Sequence, residues 1–182
     1  MLILETPRLR VERFTLDDAG FILRLLNEPS FILNIADKGV RSLDDARAYL
    51  SDGPLAHYAR HGFGLWRVSE REGGNPVGMC GLIKRDTLED VDLGYALLPE
   101  FTGRGYAGEV ARAVVEHARS RHSLGRLLAI VSPGNQRSIR LLEKLGFAFE
   151  RTVCWPPDDE EVELYALDME TMTTRPAAGG ML

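Results

Sequence analysis

Cysteine is scarce in this sequence of 182 residues. The two cysteines, Cys80 and Cys154, lie far apart and belong to no cluster with the spacing of zinc ligands, so we expect two free thiols and no metal site. His57 and His61 are four residues apart, but the glutamate that follows the first histidine of a metalloprotease helix is absent. We therefore interpret this histidine pair as a solvated helix end.

Long apolar runs and an excess of positive charge are also missing. No run of about 18 apolar residues occurs, and the N-terminal segment reaches Glu5 without a basic region or a long apolar stretch. The 22 Lys and Arg residues against 27 Asp and Glu residues give a net charge of -5, which provides no global positive field for a polyanion. We expect a soluble cytoplasmic protein without a nucleic-acid or membrane partner.

The hydrophobic content is sufficient for one sizeable core. Hydrophobic residues make up 45% of the chain, and the length falls short of that at which two domains become the usual outcome. We predict a single domain over residues 1–170. Residues 171–182, in which Thr, Pro, Ala and Gly predominate, are predicted to form a flexible tail.

Alternating polar and apolar residues predict the strands. Some neighbouring strands are joined by tight turns and others by helices, so we predict an α/β (α+β) fold with a mixed sheet of about seven strands. The predicted strands are residues 8–14, 63–68, 77–83, 91–98, 126–131, 147–153 and 161–169.

Helical spacing and capping residues predict about four helices around this sheet. The first begins at Thr15 as N-cap and ends near Pro29, and the second covers residues 42–50. A long helix follows residues 99–107, and the last covers residues 135–145 with Gly146 as the closing C′ glycine. The apolar face of the long helix is predicted to carry Val110, Ala113, Val114 and Ala118.

A glycine-bearing loop precedes the long helix and is the first sign of a ligand site. Gly103 and Gly105 allow the backbone to approach a ligand closely, and the first N–H groups of the helix have no intrahelical acceptor. The helix dipole and Arg104 favour an anion there, so the loop suits phosphate groups. A tight strand-to-helix turn without a ligand is the alternative for this loop taken alone.

Five sequence blocks occur in order along the chain. They are Glu5-Thr6-x-Arg8-Leu9 with Asp17-Asp18, Gly78-x-Cys80-Gly81-Leu82, Asp92-Leu93-Gly94-Tyr95 leading to Gly103-Arg104-Gly105-Tyr106-Ala107-x-Glu109, Asn135-x-x-Ser138, and Glu143-Lys144-Leu145-Gly146-Phe147. In these blocks and their spacing, the sequence resembles the GNAT superfamily of N-acetyltransferases from Glu5 to about Met169. The resemblance is to its RimJ/RimL-like branch of ribosomal-protein N-acetyltransferases.

This resemblance implies the GNAT fold and acetyl-CoA as co-substrate, with no metal. It implies that the strand ending at Leu98 splays away from the strand of residues 126–131, and that the pantetheine arm pairs with the free strand edge near Ala96 and Leu97. Asn135 would bond the pantetheine, a role compatible with N-capping the last helix. Backbone amides would bind the pyrophosphate at Gly103, Arg104, Gly105, Tyr106 and Ala107.

Transfer to an amine requires a base, because an amine with a pKa near 10 is protonated at pH 7. Asp92 occupies the position at which family members often carry an acidic residue, and it is our first candidate, acting directly or through a water. Glu89 lies in the preceding turn and is the second candidate. For either residue, the alternative is a solvated carboxylate beside a turn.

The coenzyme A thiolate that leaves must be protonated by a nearby group. Many GNAT enzymes use a tyrosine seven residues after the helix asparagine, but Leu142 occupies that position here. The candidate donor is therefore Ser138, as in the branch that the sequence resembles. Its alternative is a small residue on the helix surface.

The acceptor is the least defined part of the prediction. Aromatic candidates for its wall, each also compatible with a core position, are Trp66, Tyr95, Tyr106 and Tyr165. The acidic residues 158–161 would attract a cationic acceptor or form a solvated turn. The resemblance implies an amine-bearing acceptor, either a protein N-terminus or a small molecule such as a polyamine or an antibiotic, and a possible homodimer through the C-terminal strands. A non-catalytic acyl-CoA-binding module is the alternative function.

Overall fold

A computed structural model describes residues 1–156 and 160–170 of the chain. Within these ranges the protein has one sheet of eight strands and six α-helices. The strands are β1 (Leu2–Glu5), β2 (Leu9–Glu12), β3 (Leu65–Glu70), β4 (Pro76–Ile83), β5 (Asp92–Leu97), β6 (Arg126–Val131), β7 (Ala148–Trp155) and β8 (Glu160–Asp168). The helices are α1 (Ala19–Leu26), α2 (Pro29–Asn34), α3 (Leu43–Leu50), α4 (Ala56–His61), α5 (Tyr106–His122) and α6 (Gln136–Leu145).

The sheet is mixed, as the sequence predicts. Its strand order is β1-β2-β3-β4-β5-β6-β8-β7, and every neighbouring pair is antiparallel except β5 and β6. The parallel pair needs a crossover connection, which α5 provides. This single parallel junction is where the sheet opens.

Strands β5 and β6 touch at only one end. Their register contains one pair, Asp92 with Leu128, whereas β5 pairs with β4 along its whole length, from Ile83–Asp92 to Gly78–Leu97. The edge of β5 beyond Asp92 that faces β6 is therefore left without a strand partner in the described part of the chain. The two strands diverge from this point and create a cleft in the sheet.

Helices cover both faces of the sheet around this cleft. On one face, Leu93 and Leu97 of β5 pack in a cluster with Val110 and Val114 of α5, and α6 contributes Leu142. On the other face, Met79 and Leu98 pack with residues of α1 and α3. Successive side chains of a strand point to opposite faces, so β5 presents different residues to each helical layer.

Strand β1 and helix α2 were not predicted from the sequence, and α4 was expected only as a helix end at His57 and His61. Strand β1 and helices α2 and α4 are four to six residues long, which is too short for hydrophobic periodicity to distinguish them from loops. The apolar face of α5 also differs slightly, since Ala111 and Val115 are buried while Ala113 is only partly buried. Ser42 caps α3 and Asn135 caps α6 as predicted, each accepting a hydrogen bond from a backbone N–H.

The predictions for cysteine and histidine have different outcomes. Cys80 is buried and Cys154 exposed, and both thiols are free. His57 is not a solvated residue: it is partly buried, and its Nε2 accepts a hydrogen bond from the Lys84 N–H at 3.1 Å. Residues 157–159 of the acidic turn and the predicted tail of residues 171–182 lie outside the described residues. In the described part of the chain, no helix is long and apolar enough to cross a membrane.

Candidate active site

The opening between β5 and β6 is a cleft of about 570 Å³. It reaches from the glycine loop before α5 to the single β5–β6 pair at Asp92. Of the residues predicted to bind coenzyme A or to act in catalysis, Arg104 and the second candidate base, Glu89, are absent from its lining. The cleft brings together Asp92, Ala96, Leu97, Gly103, Gly105, Tyr106, Ala107, Asn135 and Ser138.

The glycine loop presents unused hydrogen-bond donors to one end of the cleft. Gly103 and Gly105 have φ angles of 77° and 80°, in the left-handed region that favours glycine. The first helical hydrogen bond of α5 runs from the Glu109 N–H to the Gly105 carbonyl at 3.0 Å, and no side chain caps the helix. A Cβ at Gly103 would meet open space, and Gly103 lines the cleft. This arrangement suits an anion.

Residues from the N-terminus hold this loop in place. The Thr6 hydroxyl donates to Glu109 Oε1 at 2.6 Å, and Arg8 pairs with Glu109 Oε2 at 2.7 Å. A second Arg8 nitrogen donates to the Arg104 carbonyl at 2.9 Å, and the guanidinium lies 4.6 Å from the centre of the Tyr106 ring. Burial opposes ionisation of Glu109, but the bonds from Thr6 and Arg8 outweigh it and lower the pKa of this carboxyl. We call Thr6, Arg8 and Glu109 the clamp of the loop, and sequence reasoning missed it.

The Arg104 side chain does not line the cleft. Its guanidinium lies 3.9 Å from Glu70 and 5.3 Å from the centre of the Phe101 ring. The expected positive charge beside the loop is therefore partly compensated by Glu70. Backbone N–H groups at the start of α5 remain as donors for a ligand in the cleft.

Asp92 is buried at the other end of the cleft, with a relative exposure of 1%. Its Oδ1 accepts a hydrogen bond from Arg85 Nε at 2.9 Å. Burial raises the pKa of the Asp92 carboxyl, and Arg85 opposes this effect. The interpretation of Asp92 as a solvated carboxylate is thus wrong. Glu89, by contrast, is exposed and does not line the cleft.

A pair of hydroxyl groups lies across the cleft between β5 and α6. The Tyr95 hydroxyl is 3.0 Å from Ser138 Oγ, and burial raises the pKa of Tyr95 to about 12. Leu142 is 1% exposed and belongs to the core, so it has no polar role. Sequence reasoning included Tyr95 only as a candidate for the acceptor wall. No local sequence signal could have identified this pair, because Tyr95 and Ser138 are 43 positions apart and meet only in the folded protein.

Asp92 and Tyr95 lie on opposite faces of the sheet. They are three positions apart on β5, where side chains alternate between faces. Tyr95 packs against the cluster that contains α5 and α6, whereas Asp92 faces Arg85, whose guanidinium lies 5.4 Å from the Trp155 ring centre. A group held in the opening between β5 and β6 would thus have a carboxylate on one side and hydroxyl groups on the other.

The remaining candidates divide between core and cleft. Tyr106 lines the cleft, and its hydroxyl donates to Glu70 at 2.9 Å. Trp66 is 1% exposed and packs 5.6 Å from the His117 ring, so it belongs to the core. Tyr165 is also buried.

Across residues 1–156 and 160–170, no group of three or more His, Cys, Asp or Glu residues is arranged to hold a metal ion.

Comparison with known families decides what this arrangement is. Residues 8–148 match the model of the acetyltransferase (GNAT) domain, which covers the splayed strands, the glycine loop and α6. The chain belongs to the GNAT acetyltransferase family. The cleft described above is therefore the opening between two strands of a GNAT sheet.

Similar proteins agree with this assignment. The uncharacterized N-acetyltransferase YoaA of Bacillus subtilis is 28% identical over 149 residues, which cover 81% of this chain and 84% of YoaA. YkkB of the same organism is 30% identical over 95 residues, which span 51% of this chain and only 55% of YkkB. The solved structure of RimL, a ribosomal L7/L12 α-N-protein acetyltransferase in complex with coenzyme A, has a TM-score of 0.79 at 17% identity and covers 93% of this chain and 99% of its own. At that identity, RimL supports the GNAT fold alone.

Proposed function

We propose that this protein transfers an acetyl group from acetyl-CoA to a primary amine by direct attack in a ternary complex. The observation that carries the proposal is the cleft itself. An uncapped helix N-terminus lies at one end, a buried carboxylate lies at the other, and an unpaired strand edge connects them. The matched family and the coenzyme A complex of RimL support the choice of co-substrate.

The glycine loop would hold the pyrophosphate. The N–H groups of residues 106–108 precede the first helical donor, Glu109, and the positive end of the 17-residue helix α5 favours an anion at this place. Open space at Gly103 leaves room for the phosphate oxygens. These features fit the group without a contribution from the Arg104 side chain.

The unpaired edge of β5 would hold the pantetheine arm. The backbone groups of Leu97 face β6 and are available because β6 has diverged there, whereas those of Ala96 face its register partner Met79 on β4, so Ala96 does not pair with the pantetheine arm as expected. Asn135 uses its Oδ1 to accept from the Ser138 N–H at 3.2 Å, while its Nδ2 donates to no acceptor among residues 1–156 and 160–170. Asn135 can therefore cap α6 and donate to a pantetheine carbonyl at the same time.

Asp92 is the proposed base. Acetyl-CoA supplies an activated acetyl group, and Asp92 accepts a proton from the acceptor ammonium, directly or through a water, so that the nitrogen lone pair can attack the carbonyl carbon. The raised pKa of Asp92 makes it a stronger base than an exposed aspartate. Backbone N–H groups of the free β5 edge would stabilise the oxyanion that forms.

Ser138 and Tyr95 are the proposed source of the proton for the leaving thiolate. Their hydroxyl groups are in contact on the face opposite Asp92. As the carbon–nitrogen bond forms and the carbon–sulfur bond breaks, one hydroxyl donates its proton to sulfur and the other can replace it. Tyr95 thus offers the phenol that Leu142 cannot supply from α6.

The acceptor would enter from the side of Asp92. Trp155 lies at this end, beside the Arg85 that bonds Asp92, and the cleft is also lined by Phe31, Ile35 and Val162 from α2, its C-terminal flank and the last hairpin. We propose a primary amine as acceptor, either a protein N-terminal α-amine, as in the RimJ/RimL-like branch, or a small molecule. Homodimerisation through the C-terminal strands stays a prediction.

An acetyl-transfer assay on Asp92→Asn tests the proposal. With a panel of amines and acetyl-CoA, wild type should release free thiol, and the variant should lose about 10²–10⁴-fold in kcat because the base is gone. Its dissociation constant for acetyl-CoA should be unchanged, since the carboxylate lies at the far end of the cleft from the loop. Glu89→Gln is the matched control and should keep full activity.

The same assay separates the enzyme from a non-catalytic acyl-CoA-binding module. Such a module would bind acetyl-CoA tightly and release no thiol with any amine, in wild type and variants alike. Wild-type activity that survives Asp92→Asn would exclude Asp92 as the base and leave the cofactor site unaffected.

A further inference from the structure

Arg85 lies at the acceptor end of the cleft and has hydrogen-bond donors that the transfer chemistry does not use. Its side chain lines the cleft and has a relative exposure of 31%. Among residues 1–156 and 160–170, only its Nε has an acceptor, which is Asp92 Oδ1 at 2.9 Å. An arginine has five N–H donors, so the four on the two terminal nitrogens remain for a ligand.

The charge at this end of the cleft is unfavourable for an additional cation. Asp92 is the only acidic residue in the described part of the chain that lines the cleft. Glu161 and Glu163 flank Val162 on β8, but side chains alternate along a strand, so both point to the face opposite Val162. Once Asp92 has taken a proton from the acceptor, the charge of Arg85 is no longer balanced within the cleft.

A second cation lies close to Arg85. Lys38 follows α2 and has no ion-pair partner within the described ranges, and the neighbouring Asp37 pairs with Arg41 at 2.6 Å. Partial loss of hydration, followed by the positive charge of Arg85, lowers the pKa of Lys38. Two cations that repel each other in this way would be stabilised by an anionic ligand between them.

The wall of this end of the cleft is apolar. Trp155 lies with its ring centre 5.4 Å from the Arg85 guanidinium, and Ile130 and Val162 also line the cleft. Ile130 and Trp155 pack in one hydrophobic cluster. Such a wall favours an apolar group because it removes that group from water. The acceptor end thus combines a carboxylate, a guanidinium with free donors and an apolar surface.

We propose that the acceptor is a free α-amino acid with an apolar side chain, and that Arg85 binds its carboxylate while Asp92 takes the proton from its amine. This inference rests on the proposed function and names the substrate class. In an α-amino acid the amine nitrogen and the carboxylate carbon are about 2.5 Å apart, because both are bonded to one carbon. Their binding groups must therefore be neighbours, and Asp92 and Arg85 are in direct contact. The arginine fork matches a carboxylate bidentately.

Two other classes of acceptor fit these charges less well. A polyamine would bring further positive charge to Arg85 and Lys38. The first residue of a peptide has a neutral amide in place of the carboxylate, and it would leave the free donors of Arg85 without an ionic partner.

The experiment compares L-leucine, L-methionine and L-phenylalanine with their amides, in which a neutral group of similar shape replaces the carboxylate. Thiol release at saturating acetyl-CoA gives kcat/KM for each acceptor, and hence one acid-to-amide ratio for each pair, in wild type and in Arg85→Gln. Because Arg85 also contacts Asp92, the substitution changes the rate with both acceptors, and the ratio cancels this common effect. Arg137→Gln is the matched control, since Arg137 is an exposed cation that lines the cleft from α6.

Wild type and Arg137→Gln should prefer the best amino acid to its amide by about tenfold or more in kcat/KM, the size expected for hydrogen bonds between charged groups. Without this contact the amide should be the better acceptor, because it lacks the carboxylate that keeps the neighbouring amine protonated. In Arg85→Gln the preference should therefore disappear or reverse. Lys38→Gln, at an exposed position, should lower the ratio by about two- to fivefold.

Three results would overturn the inference and leave the proposed function intact. They are a wild type that acetylates the amides as well as the amino acids, an Arg85→Gln variant that keeps the wild-type ratio, and a wild type that prefers spermidine, tested as a polyamine, to every amino acid. No thiol release from folded wild type with any amine would instead remove the proposed function, and the inference with it.

Discussion

The hydroxyl groups of Tyr95 and Ser138 define the chemistry of one side of the cleft at the scale of single residues. They are 3.0 Å apart, and both line the cleft on the face of the sheet that α5 and α6 cover. Burial keeps Tyr95 protonated, with a pKa of about 12, so it is available as a proton donor at neutral pH. The two groups should act as one unit.

Removing either hydroxyl should therefore slow the reaction, and removing both should add little. We expect Tyr95→Phe and Ser138→Ala each to lower kcat by about 10²-fold while acetyl-CoA affinity changes little, because each removes one member of a proton relay. Steady-state kinetics of the two single variants and the double variant measure this. Losses that multiply in the double variant would show that the two hydroxyls act independently.

The residues of the cleft differ in how far sequence could predict them. The glycine loop and Asn135 are local signals, because turn geometry and helix capping depend on neighbouring residues. The burial of Asp92 is not set by its neighbours in the sequence. Whether a carboxylate is exposed depends on the packing around it, which here includes Arg85 and Trp155 from other parts of the chain. Tyr95 becomes a candidate only once α6 is known to cross β5 at Ser138.

At the scale of elements, the N-terminal segment and helix α5 form the support of the glycine loop. Thr6 and Arg8 contact Glu109 although about a hundred positions separate them in sequence. The blocks that contain these residues were recognised by resemblance, but no periodicity or spacing could predict that they meet. Short elements such as β1 and α2 were missed for a different reason, since their few residues fit several local structures.

Glu109→Gln should loosen the loop and weaken cofactor binding. The change removes the charge that Arg8 and Thr6 stabilise, so we expect the free energy of unfolding to fall by about 1–2 kcal/mol and the dissociation constant for acetyl-CoA to rise. Glu116→Gln is the matched control on the same helix, since Glu116 pairs with Arg119 at an exposed position. That control should change stability by less than about 1 kcal/mol and leave the affinity unaltered.

Denaturant titrations and calorimetry on both variants measure these effects. An unchanged affinity in Glu109→Gln would contradict the supporting role of the clamp, even if the stability falls.

At the scale of the whole molecule, all four histidines form one continuous group of rings with Phe63 and Trp66. The neighbouring ring centroids are 4.8–5.8 Å apart, and the group joins α4, β3 and the C-terminal part of α5. Burial, followed by the charge of neighbouring histidines and arginines, lowers the pKa of His57 and His117, and burial lowers that of His122. The folded protein therefore resists protonation of His57, His117 and His122.

Stability should fall as the pH drops below about 6.5, the pKa of an unperturbed histidine. In that range the unfolded chain binds more protons than the folded one, so protonation favours unfolding. The contribution of Asp92 to the pH dependence of stability has the opposite sign, because its raised pKa lets the folded state bind a proton before the unfolded state does. Denaturant titrations between pH 7 and pH 5 should give a smaller loss of stability for His122→Gln than for wild type. An identical pH dependence in the two proteins would exclude His122 as one of its sources.

That residues 1–170 behave as one domain stays a prediction, and the binding of acetyl-CoA is the property on which the whole account depends. A thermal-unfolding scan with and without acetyl-CoA, with adenosine diphosphate and free pantetheine as controls, tests it most directly. Acetyl-CoA at about a hundred times its dissociation constant should stabilise the protein by about 2.7 kcal/mol, which corresponds to about 5–10 °C, and more than either control. No shift at millimolar acetyl-CoA would contradict the account.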